Sequence, residues 1–154
     1  MRLPRSTSLN THLHFDHCGQ NAVFTHAPFF VQRAELERAR REEREVSTWF
    51  DFAGARFELL DGDCEIVAGV RVLATPGHTL GHQSVVVDVA GRQEVMIGDA
   101  AYTSAVFAQP EVGPTIPGQA ADEPSWRTSL QRVRDLSAAR VHFCHDVVVA
   151  DGRS

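Results

Sequence analysis

Four potential metal ligands fall within the six residues His12 to His17 of the segment THLHFDHCG, namely His12, His14, Asp16 and His17. Neutral imidazoles and carboxylates are suitable ligands for zinc, and a mixed nitrogen and oxygen set with open positions marks a catalytic site rather than a closed structural one. In an extended segment, His12 and His14 project to one face because strand side chains alternate with a period of two. A following turn can then swing Asp16 and His17 toward the same region. That geometry could serve two adjacent ions, His12 and His14 on one, Asp16 and His17 on the other. The competing reading is a chance cluster of surface histidines at a strand end.

Three later segments carry the same residue types. In ATPGHTLGHQS, Pro76, Gly77 and Gly81 shape a tight turn around His78 and His82. A glycine-flanked histidine can equally be a loop residue bonded to backbone. In VMIGDAAY an apolar strand ends at Gly98 and Asp99, where an α/β protein usually presents a functional carboxylate; the plainer alternative is a helix cap. In VHFCHD, alternation would put His142 on the opposite face from the residues beside it and His145 near the strand end, and one of them can be structural.

The elements that must position these residues are short. Apolar runs at Phe29 to Val31, Glu65 to Ala74, Ser84 to Val89, Glu94 to Ile97 and Val141 to Phe143 read as strands, with Ala90 to Gln93 turning the chain between two of them. Arg33 to Glu45, built from Ala, Leu, Glu and Arg, reads as a solvated helix. Trp126, Leu130, Val133 and Leu136 fall at helical spacing behind Asp122, Glu123 and Pro124, which supply start signals for a second helix. Ala108 to Gln119, with three prolines and two glycines, reads as a loop beside the site. Strands and helices thus mix in one α+β or α/β domain.

At 154 residues, with 43% hydrophobic and 23% charged residues, the chain can bury a core of its own. A net charge of −5 disfavours a nucleic-acid partner, which calls for a basic face. No apolar stretch is long enough for a membrane span and the first residues lack the apolar segment of a signal peptide, so a cytoplasmic protein with no membrane partner is expected. Cys18, Cys64 and Cys144, odd in number and widely spaced, read as reduced thiols.

Taken together, HLHFDH, PGHTLGH, GDAAY and the late histidine of HFCHD resemble the metallo-β-lactamase superfamily in order and spacing. The resemblance implies an αββα sandwich with a dinuclear metal site between the sheets. One ion would be held by His12, His14 and His78, the other by Asp16, His17 and His145, with Asp99 bridging. His82 matches a histidine that usually supports the ligands. Within the superfamily the sequence is most similar to the N-acyl-homoserine lactonases, notably through Tyr102, the one tyrosine, three residues beyond Asp99. In those lactonases a tyrosine at this place contacts the lactone. Class B β-lactamases generally carry cysteine where Asp99 stands, which argues against that activity.

Family members normally have several strands of the first sheet before HLHFDH, whereas eleven residues precede His12 here. The expectation is therefore an N-terminally truncated sandwich, with residues 1–154 as a single partial domain. The uncovered apolar surface and sheet edge would favour dimerisation, as a homodimer, or else aggregation or poor folding.

The expected activity is hydrolysis of a small-molecule lactone or related ester, foremost an N-acyl-homoserine lactone. Two Zn2+ ions, or other divalent transition metals, would lower the pKa of a water between them and polarise the substrate carbonyl. Tyr102 would stabilise the oxyanion, and Asp16 would pass a proton to the leaving alkoxide. Phe107 and the loop near Pro110 are candidates for an acyl-chain wall. The alternatives are a thioesterase resembling hydroxyacylglutathione hydrolase, for which no basic cluster is evident, and a non-catalytic truncated homologue.

Overall fold

The computed structural model describes residues 6–152. Three parallel strands, β1 (Ser8–Leu9), β2 (Phe29–Gln32) and β3 (Phe57–Leu60), form a small sheet in that order. The larger sheet runs β4 (Cys64–Val67), β5 (Val70–Ala74), β6 (Gln83–Val89), β7 (Arg92–Met96), β8 (Arg140–His142), β9 (Val149–Ala150). Its neighbours are antiparallel except β7 and β8, which are parallel because a helical crossover joins them. The helices are α1 (Phe15–Cys18), α2 (Arg33–Glu42), α3 (Ser47–Phe50), α4 (Ser104–Ala108) and α5 (Glu123–Asp135).

Each sheet carries helices on one face. On α5, Pro124 occupies the first turn, where its missing N–H costs nothing. Trp126, Leu130 and Val133 are buried against Leu73, Val86, Val95 and Val141 of the large sheet, with Leu136 packed on the same core just past the helix end. Leu36 and Ala39 of α2 pack with Leu13, Cys18, Val31 and Phe50 over the small sheet. The result is the αββα sandwich that the motifs imply. A buried polar seam ties the sheets together: the Gln83 amide donates to Asn10 O (2.8 Å) and Phe30 O (3.2 Å) and accepts from Gln32 Nε2 (2.8 Å). With its partners present, this seam fixes register without leaving a buried amide unsatisfied.

Several sequence expectations shift in detail. Glu65 to Ala74 is two strands rather than one, because Gly69 (φ 80°) turns the chain at Ala68 and Gly69. The turn expected at Ala90 to Gln93 occupies only Ala90 (φ 54°) and Gly91 (φ 77°), both at positive φ as a type I′ hairpin requires. The helix expected at Arg33 to Glu45 ends at Glu42, and it is not merely solvated, since Glu35 and Arg38 are buried with its apolar residues. The proline-rich loop contains a single 3-10 turn at Pro110–Val112. Cys18, Cys64 and Cys144 are free thiols. Among the described residues no helix is long and apolar enough to cross a membrane.

Two glycines let the His78 to His82 turn wedge between the helices. A Cβ on Gly77 would lie 2.3 Å from Trp126 Cα of α5, and one on Gly81 would lie 2.2 Å from Glu35 N of α2. Both obstacles are backbone, so neither can rotate away. Gly81→Ala is expected to cost about 1–3 kcal/mol through forced backbone displacement, read as a fall of several degrees in Tm; an unchanged Tm would show that the turn has room to spare.

Candidate metal centre

The HLHFDH segment leaves β1 and enters α1, a single helical turn in which His17 N–H and Cys18 N–H both donate to His14 O at 3.0 Å. His12 precedes the turn, His14 caps it, and Asp16 and His17 sit within it, so one short segment delivers four side chains to one place. The entry is pinned by Asn10 and Asn21, whose side-chain amides exchange two hydrogen bonds of 3.1 Å. His78 arrives from the turn between β5 and β6, Asp99 from the 3-10 turn Gly98–Ala100 after β7, and His145 from the loop after β8.

The Asp99 carboxylate, almost fully buried, lies at the middle of the cluster. Its Oδ2 faces His78 Nε2 (3.3 Å) and His12 Nε2 (3.7 Å), while Oδ1 faces His17 Nε2 (3.2 Å) and His145 Nε2 (3.3 Å). Asp16 Oδ2 lies 3.5 Å from His17 Nε2 and 3.6 Å from His145 Nε2. On the other side His14 Nδ1 and His78 Nε2 are 3.0 Å apart. The candidate ligand atoms fall into three groups, each within 4.8 Å: His12, His14 and His78; Asp16, His17 and His145; and His12, His17 and Asp99, which joins the other two.

Hydrogen bonds fix which nitrogens face inward. His78 Nδ1 is 3.2 Å from Gln119 O, an atom that only accepts, so Nδ1 carries the proton and the Nε2 lone pair points into the cluster. His82 is oriented the same way by the opposite logic. Asp99 N–H donates to its Nε2 (3.0 Å), leaving its Nδ1–H for Thr75 O (3.1 Å). His82 thus holds the backbone of Asp99 and supplies no lone pair to the cluster. Gln119, fully buried, braces the same turn by donating to Asp99 O (3.0 Å) and accepting from Tyr102 N–H (3.4 Å).

The inward atoms fit a cation. His12 Nε2, His17 Nε2 and Asp99 Oδ1 are buried without a hydrogen-bond partner among the described residues. His17 Nε2 nevertheless lies only 3.2 Å from Asp99 Oδ1. Leaving such atoms unsatisfied costs about 1–3 kcal/mol each, and a divalent ion that takes nitrogen and oxygen donors removes that cost. Burial, followed by the neighbouring histidines, lowers the pKa of His12 well below 6.5, and burial lowers that of His78, so both are neutral at pH 7, the form that binds metal. At His17 burial also lowers the pKa, but facing Asp99, Cys144 and Asp16 outweighs it and pushes the value to about 10. The carboxylates on that side favour positive charge, which an ion would supply in place of a proton.

Tyr102 stands over the cluster, its ring centroid 5.0 Å from His145 and 5.6 Å from His78, its hydroxyl donating to Gly118 O at 3.2 Å. Burial and the Asp99 and Asp16 charges push its phenol up to about 12, so it stays a donor. A cavity of about 460 Å3 opens beside His14 and His78, lined in part by Pro76, Leu80 and Ala121, and one of about 350 Å3 opens beside Asp16 and His17, lined in part by Phe15 and Trp49.

All seven side chains expected as ligands, and Tyr102, are thus brought together. His142 is not: it pairs with Glu94 Oε2 at 2.8 Å on the strand, away from the cluster. Phe107 is not an acyl-chain wall, because it is buried in the core against Phe143 and α5. Glu35, Glu43 and Gln119 also touch the ligand segments, and nothing in the sequence distinguishes them from neighbouring polar residues.

The sequence model described as the metallo-beta-lactamase superfamily matches residues 9–145. The chain belongs to that superfamily. It is 34% identical over 143 residues to an N-acyl homoserine lactonase of a Bacillus species, covering 90% of this chain and 55% of that protein. It is 30% identical to the N-acyl homoserine lactonase AttM of Rhizobium radiobacter, covering 94% and 56%. A solved structure of an N-acyl homoserine lactone hydrolase, with the product N-hexanoyl-L-homoserine bound at its catalytic metal center, superposes with a TM-score of 0.77 at 32% identity over 90% of this chain and 55% of that one. The chain therefore spans about half the length of the relatives it matches.

Asp99→Asn should keep most of the fold but remove one of the two charged oxygens between the histidine pairs. Zinc is expected to raise the Tm of the chelator-treated parent by several degrees and that of Asp99→Asn by much less; equal shifts would take Asp99 out of the metal site.

Proposed function

We propose that this superfamily member carries the metal centre of a dinuclear metal hydrolase acting on a lactone or related ester, with N-acyl homoserine lactones as the favoured substrate class. The observation that carries the reading is the division of the Asp99 carboxylate, one oxygen facing His12 and His78 and the other His17 and His145. That geometry suits a bridging ligand. His12, His14 and His78 would hold one ion and Asp16, His17 and His145 the other, and zinc suits this donor set. Two bound ions supply an activated water and an electrophile for the substrate carbonyl.

The chain's own residues supply orientation and proton transfer. Tyr102, protonated across the neutral range, would turn its hydroxyl hydrogen from Gly118 O to the oxyanion that forms when the carbonyl is attacked. Asp16, beside His17 and His145, would take up a proton and return it to the alkoxide that leaves on ring opening. Apolar Pro76, Leu80 and Ala121 beside His14 and His78 offer a surface to the uncharged part of a substrate. The lactonase relatives support the choice of substrate class over a thioester.

Ring opening of an acyl-homoserine lactone releases one proton per turnover and can be followed with a pH indicator. The zinc-loaded chain is expected to open the lactone and to stop when a chelator is added, and Tyr102→Phe is expected to lower kcat by about 10²-fold at unchanged Tm. Turnover of a glutathione thioester with none of the lactone would contradict the substrate assignment, and a Tyr102→Phe chain with parental kcat would remove the tyrosine from the mechanism.

A further inference from the structure

Helix α2 contributes no candidate ligand, yet it touches both segments that do. Glu35 is fully buried, and its carboxylate is saturated. Oε1 accepts from Leu13 N–H (2.9 Å) and from Arg38 Nη2 (2.7 Å) and Nε (3.3 Å); Oε2 accepts from Thr79 Oγ1 (2.6 Å) and Gly81 N–H (3.2 Å). Leu13 lies between His12 and His14, and Thr79 and Gly81 lie between His78 and His82. One carboxylate therefore fixes the distance between the two segments that bear the first histidine trio. Arg38 carries the arrangement further, because its Nη1 donates to Glu43 Oε1 at 3.0 Å and that same oxygen lies 3.5 Å from His14 Nε2. Since His14 turns Nδ1 toward His78, its Nε2 is the nitrogen facing Glu43.

We propose that Glu35 and Glu43, bridged by Arg38, are positioning residues for the His12, His14 and His78 half of the metal centre, Glu35 by clamping the two segments and Glu43 by orienting the His14 ring. The inference rests on the metal-centre reading above. A carboxylate behind a metal-binding imidazole fixes its tautomer and rotation and raises its basicity. A contact needed for stability alone could be made by apolar side chains without the desolvation of a buried ion pair, whereas directed hydrogen bonds to three donors of two different loops set a geometry.

Cobalt(II) titration tests this, because its visible absorption reports ligand geometry without any turnover. The parent chain is expected to take up two ions in two steps. Glu43→Gln, a change at a partly exposed site, should leave the Tm of the metal-free chain within about 2 °C of the parent. It should weaken one cobalt step about 10- to 100-fold and alter the spectrum of that step, with Glu43→Asp recovering part of both. Glu35→Gln should weaken the same step and lower the metal-free Tm as well. If Glu43→Gln binds both ions with parental affinity and spectrum, the network is only structural and the inference is overturned while the metal centre stands. A parent chain that takes up no cobalt overturns the metal-centre reading and this inference with it.

Discussion

A buried carboxylate among four imidazoles is the constraint on which the rest of the molecule turns. Asp99 is nearly without solvent, and His12 Nε2 and His17 Nε2 beside it have no hydrogen-bond partner among the described residues. Imidazole nitrogens and carboxylate oxygens brought to 3.0–3.7 Å need protons or cations between them. Burial works against protonation on the His12 and His78 side and the carboxylates work for positive charge on the His17 side, so the two halves of the cluster differ electrostatically although their residue types match. Such an arrangement is costly for a protein that uses it only to fold, and useful for one that holds ions.

Holding it requires rigid backing, and each ligand segment has its own. His82 accepts from the Asp99 backbone and is anchored at Thr75; Gln119 links His78, Asp99 and Tyr102; Glu35 links the first and second histidine segments. Gly77 and Gly81 matter because they admit the second segment between α5 and α2, close enough for those bonds to form. The two helices are thus part of the site although neither bears a ligand. The sandwich places the cluster at the ends of its strands, where short loops from several strands meet.

The ligands were legible in the sequence because histidine and aspartate at such density have few other uses, and the order of the four motifs brought the fold with it. Short apolar runs also marked β6 and β7, and helical spacing marked α5. What could not be read was anything carried by context. Glu35 stands among Glu37, Glu42 and Glu43 in a stretch that reads as solvated throughout, and only tertiary packing buries that one carboxylate. Phe107 had the right composition for a substrate wall, yet the core claimed it. The short strands β1, β3 and β9 are not legible, because two to four residues leave too little pattern to read, and β1 exists mainly because β2 lies beside it.

Anomalous diffraction at the zinc edge from crystals of the zinc-loaded chain would test the central claim most directly. The account predicts two peaks about 3.5–4 Å apart, one among His12, His14 and His78, the other among Asp16, His17 and His145, with the Asp99 carboxylate between them. A single peak, or zinc bound elsewhere with Asp99 facing no ion, would contradict it.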